Sequence, residues 1–131
     1  MCFCTSLRMA ARHVSRHYDR ALAPAGIGVT AYAILARLDR EGPLAVGALA
    51  ARLATDRTTL SREATPLVVA GLVDAARDGR RRVLSLSPEG ADRLAAARPL
   101  WERAQATFTE DFGADRTAGL IQELHALVGA G

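Results

Sequence analysis

The chain has 131 residues, enough for one compact domain of ordinary size, and hydrophobic residues make up 50% of it. Alanine and leucine dominate while aromatic residues reach only 5%, a balance that favours helices and argues against a β-sandwich. The net charge of +3 comes from 17 basic residues, all arginine, against 14 acidic ones, and no apolar run approaches the ~20 residues of a membrane span, so no membrane partner is expected.

The first predicted helix runs from about Thr5 to Ala23, with Leu7, Ala11, Val14, Tyr18, Ala21 and Leu22 recurring on one face; Pro24 and Gly26 end it. Ahead of it stand the only two cysteines, Cys2 and Cys4. Separated by one residue, they cannot form a framework that closes large loops. Arg8 and Arg12 interrupt any signal-peptide core after Met1, so the expected compartment is the reducing cytoplasm. A second helix is expected from Thr30, as N-cap, to about Glu41, burying Ile34, Leu35 and Leu38. Gly42-Pro43 punctuates the chain, and a short third helix, about Val46 to Leu53, buries Leu49 and Leu53.

Thr55-Asp56 offers an N-cap for a fourth helix reaching about Ala70. It opens with Arg57, Thr58, Thr59, Ser61 and Arg62, and the hydroxyl residues among them are mediocre helix formers. At about 100° per residue, Leu60, Ala64, Leu67 and Gly71 form one stripe, while Thr58, Arg62 and Thr65 fall near the opposite side with Ser61 on the flank. Pro66 should bend this helix by freeing the Arg62 carbonyl.

The period then changes. Leu72-Val73 and Val83, Leu84 and Leu86 read as two short strands, with Asp78-Gly79 as a two-residue hairpin signal and Arg77, Arg80, Arg81 and Arg82 at the tip. Ser87-Pro88-Glu89 opens a fifth helix with a hydroxyl cap, a first-turn proline and an acid at the positive dipole end. That helix extends to about Phe112, carries Leu94, Trp101 and Phe108 at heptad spacing, and should kink at Pro99. A last helix, about Asp115 to Val128, carries Leu120, Ile121, Leu124, Leu127 and Val128; the terminal Gly-Ala-Gly is expected to fray.

The fold class is therefore mostly α with a small β-hairpin. The third and fourth helices form a helix-turn-helix, and the hairpin after them is a wing. The polar face of the fourth helix reads as a recognition helix for the DNA major groove: its hydroxyls suit phosphates or base edges, and Arg62 can be bidentate to guanine. The arginine-rich hairpin tip suits the narrow minor groove, where the potential is most negative. Candidate DNA contacts are Arg57, Thr58, Thr59, Ser61, Arg62, Thr65, Asp78, Arg80, Arg81 and Arg82.

Three stretches, "LAARLATDRTTLSR" (Leu49–Arg62), "GLV" (Gly71–Val73) and "DGRRRVLSLSPEG" (Asp78–Gly90), resemble the MarR (multiple antibiotic resistance regulator) family of bacterial winged-helix transcription factors. The resemblance covers nearly the whole chain, as a single MarR-type domain over 1–131. It implies a winged helix-turn-helix over 30–87 and dimerisation helices over 1–25 and 88–131. By the same match, Arg80 is the minor-groove arginine and Asp78 orients the wing. It further implies a homodimer that binds double-stranded DNA as a repressor and is released by a small aromatic acid or by thiol oxidation. The homodimer has a second argument: a monomer of this size would struggle to cover Leu94, Trp101, Phe108 and Phe112 on one side and Leu120 to Val128 on the other.

Two other readings stay open. One is a winged-helix interaction module without DNA binding, against which intact Arg62 and Arg80 argue. The other is a thiol-based redox sensor: Cys4 stands fourteen residues before Tyr18, an offset similar to that of the organic-hydroperoxide-sensing branch, with Cys2 as a resolving thiol, although Val29 and Arg40 occupy that branch's tyrosine positions. An enzyme is not expected, since there is no phosphate-binding glycine loop, no Ser/His/Asp arrangement and no HExxH. His13, Arg16, His17 and Tyr32 are candidates for gripping a ligand carboxylate, against the plainer reading of surface or interface residues. The His13/His17 pair alone is too small a ligand set to name a metal, and no cofactor is expected.

Overall fold

The computed structural model describes residues 1–129; part of the terminal Gly-Ala-Gly expected to fray lies outside these. The elements are α1 (Phe3–Leu22), a 3₁₀ turn (Ala23–Ala25), α2 (Val29–Glu41), β1 (Leu44–Ala45), α3 (Val46–Arg52), α4 (Arg57–Val69), β2 (Val73–Asp78), β3 (Arg81–Leu86), α5 (Pro88–Phe112) and α6 (Ala114–Val128). Leu22, Ile34, Leu35, Leu49, Leu60, Ala64 and Leu84 are fully buried, so one core joins α1, α2, α3, α4 and the sheet. The stripe read on α4 is the face that packs, and Thr58, Arg62 and Thr65 are exposed.

The sheet has three antiparallel strands in the order β1-β3-β2. The extra strand, β1, pairs Leu44 with Leu84 and Ala45 with Val83. Two residues are too few to show alternation, so no pattern announces it. The hairpin pairs Asp78 with Arg81, so its two-residue turn is Gly79-Arg80, one residue beyond the expected Asp78-Gly79. The reason is conformational: φ is +64° at Gly79, and a first central position with positive φ is where a II′ turn places glycine.

Other local expectations hold or shift by a cap. Asp56 is the N-cap of α4: its Oδ1 accepts from the Thr59 N–H at 2.8 Å and its Oδ2 from the Thr59 hydroxyl at 3.0 Å. Helix α4 runs through Pro66, beside which the Thr65 hydroxyl donates to the Ser61 carbonyl at 2.7 Å. Thr30 is not a cap. The N-cap of α2 is Gly28, and the Val29 N–H donates at 2.8 Å to Oδ1 of Asp19, ten residues upstream.

The wing is anchored at the start of α5. Ser87 is 5% exposed; its hydroxyl donates to the Gly71 carbonyl at 2.6 Å and accepts from the Gly90 N–H at 3.0 Å, while its own N–H donates to the Leu72 carbonyl at 3.2 Å. Gly90 is required by space: a Cβ there would lie 2.0 Å from the Leu72 carbonyl oxygen.

Helix α5 packs on α1 and α2, with Tyr32 stacked on Trp101 at 5.5 Å between centroids. Leu94 is buried within the chain, so it needs no partner to cover it, contrary to expectation. Helix α6 differs: it has no buried residue, and Leu120, Ile121, Leu124, Leu127 and Val128 are 37–62% exposed. With Phe3 and Leu7 of α1, the α6 residues Leu120, Leu124 and Leu127 line a groove of about 440 Å³. Among the described residues, no single helix is long and apolar enough to cross a membrane.

Candidate nucleic-acid interface

The α4 N-terminus, the α3 N-terminus and the wing enclose a cleft of about 480 Å³ lined by Ala45, Val46, Gly47, Ala48, Arg57, Ser61, Arg80, Arg81 and Arg82. Four arginines converge there, and no carboxylate lines it among the described residues. Asp78 bonds Arg81, Nη2 to Oδ2 at 3.0 Å, and not Arg80. Arg80 occupies the second position of the turn and projects at the tip without an ion-pair partner among the described residues.

The candidate recognition residues divide by what their side chains already do. Thr58 and Arg62 are exposed, and their side chains make no hydrogen bond among the described residues. Thr59 is half-buried and its hydroxyl serves the cap of Asp56; the Thr59 N–H first, and its hydroxyl second, hold the Asp56 carboxyl below its ordinary pKa of 3.8. Thr65 spends its donor on Ser61, and Ser61 faces the cleft. Two participants have no signal in the sequence: β1, which carries one wall of the cleft, and Gly47, on which the Arg57 side chain rests.

The four candidate ligand-gripping residues do not converge. His13 and His17 share a small cleft of about 230 Å³ with Phe108, Asp111 and Phe112. His17 Nε2 donates to the Ala104 carbonyl at 3.2 Å, and its ring meets Tyr18 edge-on at 5.6 Å and Phe108 at 6.2 Å. Arg16 is exposed and outside that lining. Tyr32 is buried against Trp101, and burial raises its phenol pKa. The reason is helical phase: Arg16 leaves α1 on its solvent side, and Tyr32 faces the core side of α2.

Both cysteines are exposed. Cys2, not Cys4, is the N-cap of α1, because the helix begins at Phe3. The Thr5 N–H first, and the Thr5 hydroxyl second, lower the Cys2 thiol pKa below its ordinary value.

A helix-turn-helix whose second helix turns a polar face outward, followed by an arginine-tipped hairpin, defines the winged-helix class of transcription regulators. The comparisons agree. Residues 25–82 match the model of the MarR family. The transcriptional regulator MosR of M. tuberculosis is similar at 34% identity, with a TM-score of 0.83 over 99% of this chain and 97% of its own. The same regulator in complex with DNA gives 32% identity and a TM-score of 0.89, over 99% and 96%. A MarR-family regulator from Rhodococcus sp. RHA1, at 19% identity, shares the fold with a TM-score of 0.81, over 95% and 91%. No curated protein sequence matches. The chain belongs to the MarR family of transcriptional regulators.

Proposed function

We propose that this protein is a cytoplasmic, sequence-specific DNA-binding repressor, not an enzyme, that binds a pseudo-palindromic operator as a homodimer. The observation that carries the reading is the four-arginine cleft beside the exposed Thr58/Arg62 face of α4. The likeness to MosR, whose structure is known with DNA, supports it. In this reading α4 enters the major groove and Arg80 reaches the minor groove. The segments 1–25 and 88–131 pair with a second copy, because the apolar row on α6 and the exposed Phe3 and Met9 of α1 have no cover among the described residues. Release is by a small aromatic carboxylate; the His13/His17 cleft with its two phenylalanines supplies an aromatic wall, and the His13 imidazole a donor, for one.

Selection from a random duplex library, with solution mass measured in parallel, tests this. The expected product is two half-sites about 10 bp apart, or a multiple of it, bound by a dimer. A single asymmetric half-site bound by a monomer refutes the dimeric reading. Failure of the wild type to bind any duplex favours an interaction module that keeps the fold alone.

A second reading, regulation by thiol oxidation, is favoured by the exposed Cys2/Cys4 pair at the α1 N-terminus and the lowered pKa of Cys2.

A further inference from the structure

We propose that Arg57 is a clamp for one DNA backbone phosphate, not a reader of bases, and that Gly47 is the residue that seats it. The proposal rests on the DNA-binding reading above and assigns a division of labour within that site. Arg57 is the first residue of α4. Relative to Leu60 at 0°, Arg57 leaves the helix near 60° and Arg62 near 200°, so the two guanidinium groups depart about 140° apart. Arg62 stays on the outward face, whereas Arg57 is turned toward α3.

The contact with α3 is close. An ideal Cβ on Gly47 would lie 2.7 Å from Arg57 Nε, 2.9 Å from Nη2 and 3.1 Å from Cζ. A side chain at position 47 would press on the guanidinium, and glycine leaves the space it occupies. The seat restrains a long side chain before any ligand arrives, which reduces the ordering needed on binding. It also directs the guanidinium into the cleft that Ser61 and Arg80 to Arg82 help to line.

The chemistry of that cleft selects its occupant. Arg57, Arg80 and Arg82 have no ion-pair partner among the described residues, and Asp78 is engaged with Arg81. Clustered, unneutralised guanidinium groups call for an anion with several acceptor oxygens, and a planar fork of N–H donors matches a phosphodiester. The cleft lies between the groove-facing helix and the wing, where a duplex presents its backbone.

The test uses the full chain and a fluorescein-labelled random-sequence duplex of about 30 bp, with affinity measured by anisotropy across a salt series. Each phosphate contact contributes ~0.9 to the slope of log K against log salt. Arg57→Ala should lower the slope by about 0.9 per bound subunit, which amounts to about eightfold in affinity at 0.1 M salt relative to 1 M, and Gly47→Ala, which unseats the guanidinium but keeps its charge, should weaken binding with a smaller change of slope. The combined variant should bind no more weakly than Arg57→Ala, since both changes act on one contact. Thermal unfolding of each variant checks the fold. Because Arg57 is exposed, its replacement keeps the test decisive if Gly47→Ala proves unstable. Wild-type slope and affinity in both single variants, or additive losses in the combined one, would overturn the proposal while leaving DNA binding intact. A wild type that shows no salt-dependent binding would overturn both.

Discussion

Replacing Gly90 with alanine places a methyl group where the Leu72 carbonyl already sits. The new Cβ would be 2.0 Å from that oxygen, 2.8 Å from Leu86 Cδ1 and 3.0 Å from the Leu72 carbonyl carbon. To reach even 3.0 Å from the oxygen, the first turn of α5 must part from the start of β2 by about 1 Å. The obstacle is backbone, which cannot swing aside as a side chain does. Overpacking of this kind costs about 1–3 kcal/mol. The same displacement strains the bonds from Ser87 to Gly71 and Leu72, each worth about 0.5–1.5 kcal/mol. Alanine's better helix propensity returns at most ~1 kcal/mol. The net loss is about 2–4 kcal/mol, a fall in melting temperature of roughly 6–15 °C for a chain of this size. Thermal unfolding at fixed protein concentration reads it, since any self-association also shifts the transition. Gly47→Ala is the control: there the obstructing atoms are the far end of a flexible arginine, so the melting temperature should hold. A Gly90→Ala protein that melts within ~2 °C of wild type would refute the argument.

Arg62→Ala should cost about 1–3 kcal/mol on the selected operator and little on random duplex, if Arg62 reads a base; an equal loss on both would make it a phosphate anchor. Asp56 has a folded pKa below 3.8, so its capping contribution is present above that value and is lost as pH falls through the folded pKa. Asp56→Asn keeps a capping oxygen without the titration, so its urea midpoint should fall less than wild type's between neutral and strongly acid pH; equal falls would contradict the assignment. Peroxide should weaken DNA binding by the wild type and dithiothreitol should restore it; with Cys2 rather than Cys4 at the helix cap, peroxide oxidises the Cys2 thiol to a sulfenic acid whose sulfur the Cys4 thiol attacks, expelling water and leaving a Cys2–Cys4 disulfide. Either Cys→Ser variant should resist the loss, and a wild type indifferent to peroxide in a gel shift would end the thiol reading.

What was legible in the sequence is what local chemistry writes there. The stripe through Leu60, Ala64 and Leu67, the Asp56 cap and the Ser87-Pro88 helix start are set by residues within a turn of one another, and each lies where expected. Features set between distant residues were not readable. The α2 cap comes from Asp19 across a turn, β1 exists only because β3 lies beside it, and the Gly47 seat has meaning only against Arg57 of another helix. The hairpin register slipped by one because Asp-Gly and Gly-Arg both suit two-residue turns, and the pairing beyond them decides. The ligand candidates scattered because spacing along α1 does not say which residues of α2 face the same space. Arg16 and Tyr32 are held apart from the His13/His17 cleft for that reason.

The two-residue strand β1 has a mechanical consequence. By pairing Leu44 and Ala45 with the central strand, it fastens the helix-turn-helix to the hairpin through backbone bonds. The base of the wing is therefore tied to the helix-turn-helix. In the proposed regulation, a signal that alters grip acts on this joined head, with α5, attached to it through Ser87, as the lever arm. At about 1.5 Å per residue, the 25 residues of α5 span roughly 37 Å, so a tilt of about 10° at mid-length displaces its end by about 3 Å. In a two-fold pair that displacement is doubled, turning a small angular change far from the duplex into a mismatch of reach between two rigid heads.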